Sequence, residues 1–203
     1  MKVSEKSLTQ PITMTLYSGR EVDIFNLKPE DINIEDIAHS LSNLCRFGGH
    51  CLFNYSVAQH SFLCSLEPGT KKEKFSFLLH DASEAYVNDL VRPIKHRPEL
   101  KKYRDLEDDV QRIIFEKFGL DYPFSEKIHQ VDNKVLIKEI KELIIMKHEV
   151  LDFSKKNNLN YIESHKKLKE IKLKNCTFEK ISTDDAKKLF VDRFFELKNS
   201  IKL

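Results

Sequence analysis

The sequence predicts a mainly α-helical fold, a helical bundle with one small β-hairpin near its N-terminus. Three observations carry this. Apolar residues recur at helical spacing in successive stretches, several of them opened by a capping residue. One pair of short segments alternates in the strand sense, and it is the only good pair. The 203 residues are 40% hydrophobic, with 14 Phe and five Gly, which suits a globular core and excludes a collagen-like or linker-rich chain.

The hairpin is expected over residues 12–25, with strands Thr13–Tyr17 and Glu21–Phe25 around Ser18-Gly19-Arg20. Asn33 reads as an N-cap, and Ile34, Ile37, Leu41 and Leu44 follow at helical spacing. Arg46-Phe47-Gly48-Gly49-His50 breaks that helix. Further helices are expected at about Ser56–Leu66, Lys71–Val87 and Pro98–Phe118, the last with Pro near its start and Gly119 just past its end. Another follows Pro123-Phe124-Ser125 and runs to about Glu149. Residues 154–180 are rich in Lys and Asn, poorly periodic, and expected to be irregular. Ser182 with Asp185 opens a final amphipathic helix through Leu189, Phe190, Phe194 and Leu197. The pattern divides the chain into a domain over residues 1–150 and a C-terminal helical extension over 151–203, packed on the same domain.

Composition narrows the function classes. Lys+Arg 34 against Asp+Glu 32 leaves +2, no electrostatic footprint for nucleic acid or an anionic membrane. No G-x-G-x-x-G or G-x-x-x-x-G-K occurs, so no dinucleotide fingerprint or P-loop is expected. No apolar run is long enough for a membrane span. The polar start Met1–Lys6 shows no signal peptide. Cys45, Cys51, Cys64 and Cys176 form no C-x-x-C and read as free thiols, which points to the cytoplasm.

The residues that suggest chemistry are His60, His80, Asp81, Glu84, Asp89 and Asp132. Asp81 sits in an apolar helix (Phe75, Phe77, Leu78, Leu79, Ala82, Ala85), where a charge is costly unless paired or metal-bound. Glu84 lies one turn beyond His80 on the same side. His60 and Asp132 belong to an earlier and a later helix. Two imidazoles and two carboxylates converging from three helices would make a divalent-metal site. Zn, Fe, Co or Mn accept such a mixed set, whereas Ca and Mg prefer oxygen. By itself each histidine reads more simply as a satisfied core or surface residue. His39, His129, His148 and His165 are read that way. Asp121 competes with Asp132 but sits in a Gly119–Pro123 turn, where Asp has an ordinary structural role.

The pattern His60 … His80-Asp81 … Asp132 resembles the H…HD…D signature of the HD-domain metal-dependent phosphohydrolases. Residues 34–50, 55–61, 79–86 and 89–95 extend the likeness. They resemble a small phage and bacterial subfamily similar to the bacterial HD 5′-deoxynucleotidase and the phage dATP triphosphohydrolases. The resemblance covers about residues 12 to 145. It implies an HD-domain bundle in which His60, His80, Asp81 and Asp132 hold a divalent ion (Co, Mn, Zn, Fe or Mg), with room for a second ion that arrives with substrate. It implies that Arg46 grips the phosphate beside the scissile bond and that Phe47 packs on the sugar, favouring deoxyribose. Glu84 would be the catalytic glutamate, Asp89 a second catalytic acid and Lys95 a cation near the phosphates. His50, at the end of the same turn, is a candidate for a further phosphate contact. The last ligand in the family usually follows Ala, but Asp132 follows Val131.

The activity implied is hydrolysis of a deoxynucleotide. The basic run Arg92-Pro93-Ile94-Lys95-His96-Arg97 tilts this towards a dNTP triphosphohydrolase releasing deoxynucleoside and triphosphate. The alternatives are a 5′-deoxynucleotidase and a non-catalytic HD-type interaction module. The Glu-Asp pair of alarmone hydrolases and the Gly-Tyr-Pro of cyclic-dinucleotide hydrolases are missing after His80-Asp81. The resemblance also implies a homo-oligomer, while the charge balance and the lack of a long apolar run lead to no expected membrane or nucleic-acid partner.

Overall fold

Residues 13–145 and 178–201 are described by a computed structural model. They form a mainly helical structure with one two-stranded antiparallel sheet. The hairpin is shorter than its alternation suggests. Strand β1 is Met14–Thr15 and β2 is Glu21–Val22, with Met14 opposite Val22 and Thr15 opposite Glu21. The second strand stops early because the Asp23 side chain accepts from the Phe25 N–H and starts a 3-10 turn at Ile24–Asn26. Gly19 takes φ 82° in the connecting turn, a left-handed backbone that glycine adopts without penalty. The Ser18 N–H and hydroxyl then donate to buried Asp36 at 2.6 and 2.9 Å, which ties the hairpin to the first helix.

Helix α1 (Ile34–Asn43) opens where the Asn33 side chain accepts from the Glu35 N–H. Helices α2 (Val57–Leu66) and α3 (Lys71–Leu79) each begin with a reciprocal capping box, Ser56 with Gln59 and Thr70 with Glu73. Short helices α4 (Glu84–Val87) and α5 (Arg92–Lys95) lead to α6 (Lys101–Lys117) and α7 (Glu126–Glu139). The chain continues as a π-helix over Ile140–Ile145. Helix α8 (Thr183–Ser200) packs against α1, α2 and α3. Its Phe194 ring is fully buried, 5.2 Å from the Phe75 ring and 5.0 Å from the Phe118 ring. Arg193 of α8 donates to the Ser65 carbonyl at 2.8 Å, capping the end of α2.

One expected helix is broken. Lys71–Val87 is not continuous: α3 ends at Leu79 and α4 starts at Glu84. Between them the backbone tightens, with Ala82 N–H on Leu79 C=O and Glu84 N–H on Asp81 C=O. Gln111 of α6 completes the break. Its side chain accepts from the Ser83 N–H at 2.9 Å and donates to the Leu79 carbonyl at 2.8 Å. The helix expected over Pro98–Phe118 likewise begins with a 3-10 turn at Pro98–Leu100. The irregular stretch expected at 154–180 lies outside the described residues as far as 177, as do the 150/151 boundary, His148, His165 and Cys176. Among the described residues no helix is long and apolar enough to cross a membrane.

Candidate metal centre

The α3–α4 break positions the site. Adjacent residues on an unbroken helix point about 100° apart. At this tighter turn His80 Nε2 and Asp81 Oδ2 come within 3.3 Å. His60, in the middle of α2, and Asp132, on the second turn of α7, meet them. His60 Nε2 is 3.3 Å from His80 Nε2, 3.2 Å from Asp132 Oδ1 and 3.6 Å from Asp81 Oδ2. His80 Nε2 is 3.9 Å from Asp132 Oδ1.

These spacings suit a cation. Donor atoms around one ion at about 2.1 Å stand roughly 3.0–3.4 Å apart in octahedral or tetrahedral coordination. The pairs at 3.2 and 3.3 Å fall inside that range, and those at 3.6 and 3.9 Å need a small inward shift. Both rings are also held with Nε2 facing inward. The His60 Nδ1–H donates to Glu139 at 2.6 Å, and the His80 Nδ1–H donates to the Phe77 carbonyl at 2.8 Å. Metal-binding histidines use such outer partners to fix tautomer and ring angle. His60 is fully buried and His80 nearly so, while Asp81 and Asp132 keep a side open.

The electrostatics agree with the geometry. Burial pulls the His80 ring down, but Asp81 and the hydrogen bond to Asp132 outweigh it and push it up to about 9. His60 also rises: burial and Arg46 oppose protonation, and Cys64, Glu139 and Asp132 overcome them. Burial disfavours the Asp132 carboxylate, yet the two rings hold it far below its ordinary value. The pocket thus favours positive charge between its rings and carboxylates.

Sequence reasoning did not single out Cys64. It lies one turn after His60, fully buried, with its sulfur 3.6 Å from His60 Nε2. His60, Cys64 and His80 offer donor atoms that all lie within 4.8 Å of one another. A thiolate would add a soft ligand to the set. The i, i+4 spacing from His60 was the available signal.

Arg46 is buried and stands beside the cluster. Its Nη1 is 3.5 Å from Asp81 Oδ2, and its Nε and Nη2 donate to Glu139 Oε2 at 3.2 and 3.0 Å. The backbone turns sharply after it. Phe47 has φ 57° and is followed by Gly48 and Gly49 at φ 60° and 79°. A left-handed phenylalanine is strained by roughly 1–2 kcal/mol, and such strain tends to collect at functional sites. The turn aims Arg46 inward and leaves its guanidinium carbon 5.5 Å from the centre of the Phe47 ring. His50 sits at the exposed end of this turn.

Glu84 forms a second acidic position. It is buried, and its Oε2 has no hydrogen-bond partner among the described residues. Burial, Asp81 and Asp89 together push its carboxyl well above the ordinary carboxylate range. Burial also raises partly buried Asp89, with Arg46 acting against it. Lys95 Nζ is 3.7 Å from Glu84 Oε1 and 2.6 Å from Glu107. From the other end of α5, Arg92 Nη2 is 3.5 Å from Asp132 Oδ2. Two cations of one short helix therefore reach the acids of the site. Asp121 is exposed and pairs with Lys72 at 2.8 Å, and His39 stacks on Tyr17 at 3.8 Å.

No protein-family model matches the chain. Over 128 residues it is 41% identical to the uncharacterized protein YfdR of Escherichia coli strain K12, a match covering 63% of this chain and 70% of that protein. Over 113 residues it is 36% identical to the uncharacterized protein RCAP_rcc00048 of Rhodobacter capsulatus, covering 52% of this chain and 57% of that one. At this identity and coverage, the chain belongs to the family of YfdR.

Proposed function

We propose that this protein is a divalent-metal-dependent phosphohydrolase of the HD-domain type, acting on deoxynucleotides. The observation that carries the reading is the convergence of His60, His80, Asp81 and Asp132 at 3.2–3.9 Å beside a buried arginine. A divalent ion held there would lower the pKa of water and polarise a phosphoryl oxygen. The chain's own groups supply the rest. Arg46 presents a planar fork to the phosphate oxygens and offsets their charge. Glu84 holds a proton above the usual carboxylate range and has an oxygen with no partner among the described residues. It donates that proton to the leaving sugar oxygen as the bond from phosphorus to that oxygen breaks. Asp89 takes the proton from the attacking water. Phe47, beside Arg46, packs on the sugar.

Arg92 and Lys95 support a triphosphate over a monophosphate. Arg92 lies 3.5 Å from Asp132, and Lys95 lies 3.7 Å from Glu84 and 2.6 Å from Glu107, and in this reading both meet phosphates beyond the reacting one. The reading is therefore a dNTP triphosphohydrolase. The test is a panel of NMPs, dNMPs, NTPs and dNTPs with Mn, Co, Mg or Zn, with products separated chromatographically. Deoxynucleoside plus inorganic triphosphate is expected. Phosphate from dNMPs alone would make it a 5′-deoxynucleotidase. No turnover with any metal would refute the enzyme reading in favour of an interaction module.

A further inference from the structure

Glu139 is the last residue of α7 and is fully buried. A buried carboxylate is costly unless its oxygens are satisfied. Here both are. Oε1 accepts from the His60 Nδ1–H at 2.6 Å and from the Tyr55 hydroxyl at 2.8 Å. Oε2 accepts from Arg46 Nε and Nη2 at 3.2 and 3.0 Å. Filling space does not call for a charge here; what distinguishes the carboxylate is that donors of three separate residues converge on its two oxygens.

The two residues it holds face the metal centre from different elements. His60 is on α2 and presents Nε2 to the cluster, while Arg46 is in the strained turn before Tyr55 and presents Nη1 to Asp81. The backbone is also specialised at this point. The α-helix gives way to a π-helix immediately after Glu139, a feature frequent at functional sites. The Leu143 carbonyl in that π-helix accepts from the Leu52 N–H at 2.9 Å, which fastens it to the Arg46–Tyr55 loop.

We infer that Glu139 is a positioning residue of the centre: its single carboxylate fixes the His60 ring through Nδ1 and the Arg46 guanidinium through Nε and Nη2, and so sets the metal-binding face against the phosphate-binding cation. The inference rests on the metal-centre reading above. It predicts that changes at Glu139 alter metal affinity and turnover, and that they do so beyond any effect on stability. A glutamine there cannot accept from all of these donors. Its NH2 end must face either Arg46 or the His60–Tyr55 pair.

The experiment measures zinc affinity by chelator competition for wild type, Glu139→Gln and Tyr55→Phe, together with the melting temperature of each metal-stripped protein. Nitrogen-detected NMR of the zinc-loaded proteins reads the His60 tautomer. Glu139→Gln is expected to bind zinc about 10–100-fold more weakly, the range for lost outer partners of metal ligands, with loss of the fixed Nδ1–H tautomer. Tyr55→Phe, which keeps the carboxylate and removes one donor, is expected to bind about fivefold more weakly. Glu139→Gln with a lower melting temperature but unchanged zinc affinity and tautomer would show a merely structural role and overturn the inference. If Glu139→Gln does not fold, Tyr55→Phe decides alone, and unchanged affinity there overturns it. A wild-type protein that takes up no zinc would instead overturn the metal-centre reading, and this inference with it.

Discussion

Gln111→Met tests the link between the helix break and the site. Gln111 is buried on α6, and methionine matches its length without its polar atoms. The substitution removes the acceptor for the buried Ser83 N–H and the donor to the Leu79 carbonyl. The two losses are unequal. The Leu79 carbonyl still accepts from the Ala82 N–H at 3.1 Å, so its share is small. The Ser83 N–H keeps no described partner, and an orphaned buried donor costs about 1–3 kcal/mol. A total of roughly 1–3 kcal/mol follows, which lowers the melting temperature of a chain this size by about 2–12 °C. Because His80 and Asp81 sit inside the clipped turn, zinc affinity falls as well. Urea unfolding gives the stability, with the slope checked for constancy, and chelator competition gives the affinity. A methionine variant as stable as wild type would refute the argument. So would one that is destabilised yet binds zinc unchanged, since the clip would then hold the fold without holding the site.

Three further outcomes follow from the geometry. Glu84→Gln keeps the shape of the side chain and removes its proton, so metal binding persists while kcat falls by about 10²–10⁴-fold; full activity would remove Glu84 from the chemistry. The Lys95 charge lowers the pKa of Glu84, so Lys95→Met raises it. An acid that must be protonated loses activity as pH rises through its pKa, and the alkaline limb of kcat therefore moves to higher pH; a limb that stays or moves down contradicts the proton-donor role. Cobalt-loaded protein shows weak visible bands and no strong sulfur-to-cobalt band in the near ultraviolet, because the nitrogen and oxygen donors fill the centre; a strong band abolished by Cys64→Ser would make Cys64 a ligand.

Much of the helical framework was legible because caps and apolar spacing are local. Asn33 and Ser182 cap where the sequence suggests, and the helix expected from about Ser56 starts there, with Ser56 as its cap. The breaks were not legible. The turn at His80–Ser83 depends on Gln111, far away in sequence, and nothing in the local apolar run signals it. The shortened β2 depends on an Asp23 side-chain bond that competes with the ladder. At the site, the pattern His60, His80-Asp81 and Asp132 names residues that the fold brings together. The buried network behind them escaped notice. Glu139 is two helical turns after Asp132 and shares its face, but a glutamate in a Lys- and Glu-rich helix reads as solvated. Tyr55 carries no local sign of its role either, because its partner arrives only through tertiary packing.

In the proposed function, one divalent ion in this cluster is needed for phosphoester hydrolysis. The direct measurement is a titration of metal-stripped protein with Mn²⁺ while phosphate or triphosphate release from dNTPs is followed. Activity should rise from zero and break at one equivalent of tightly bound metal, and His80→Ala should show no such break. Turnover that is undiminished in the stripped protein, or a titration identical in His80→Ala, would contradict the account.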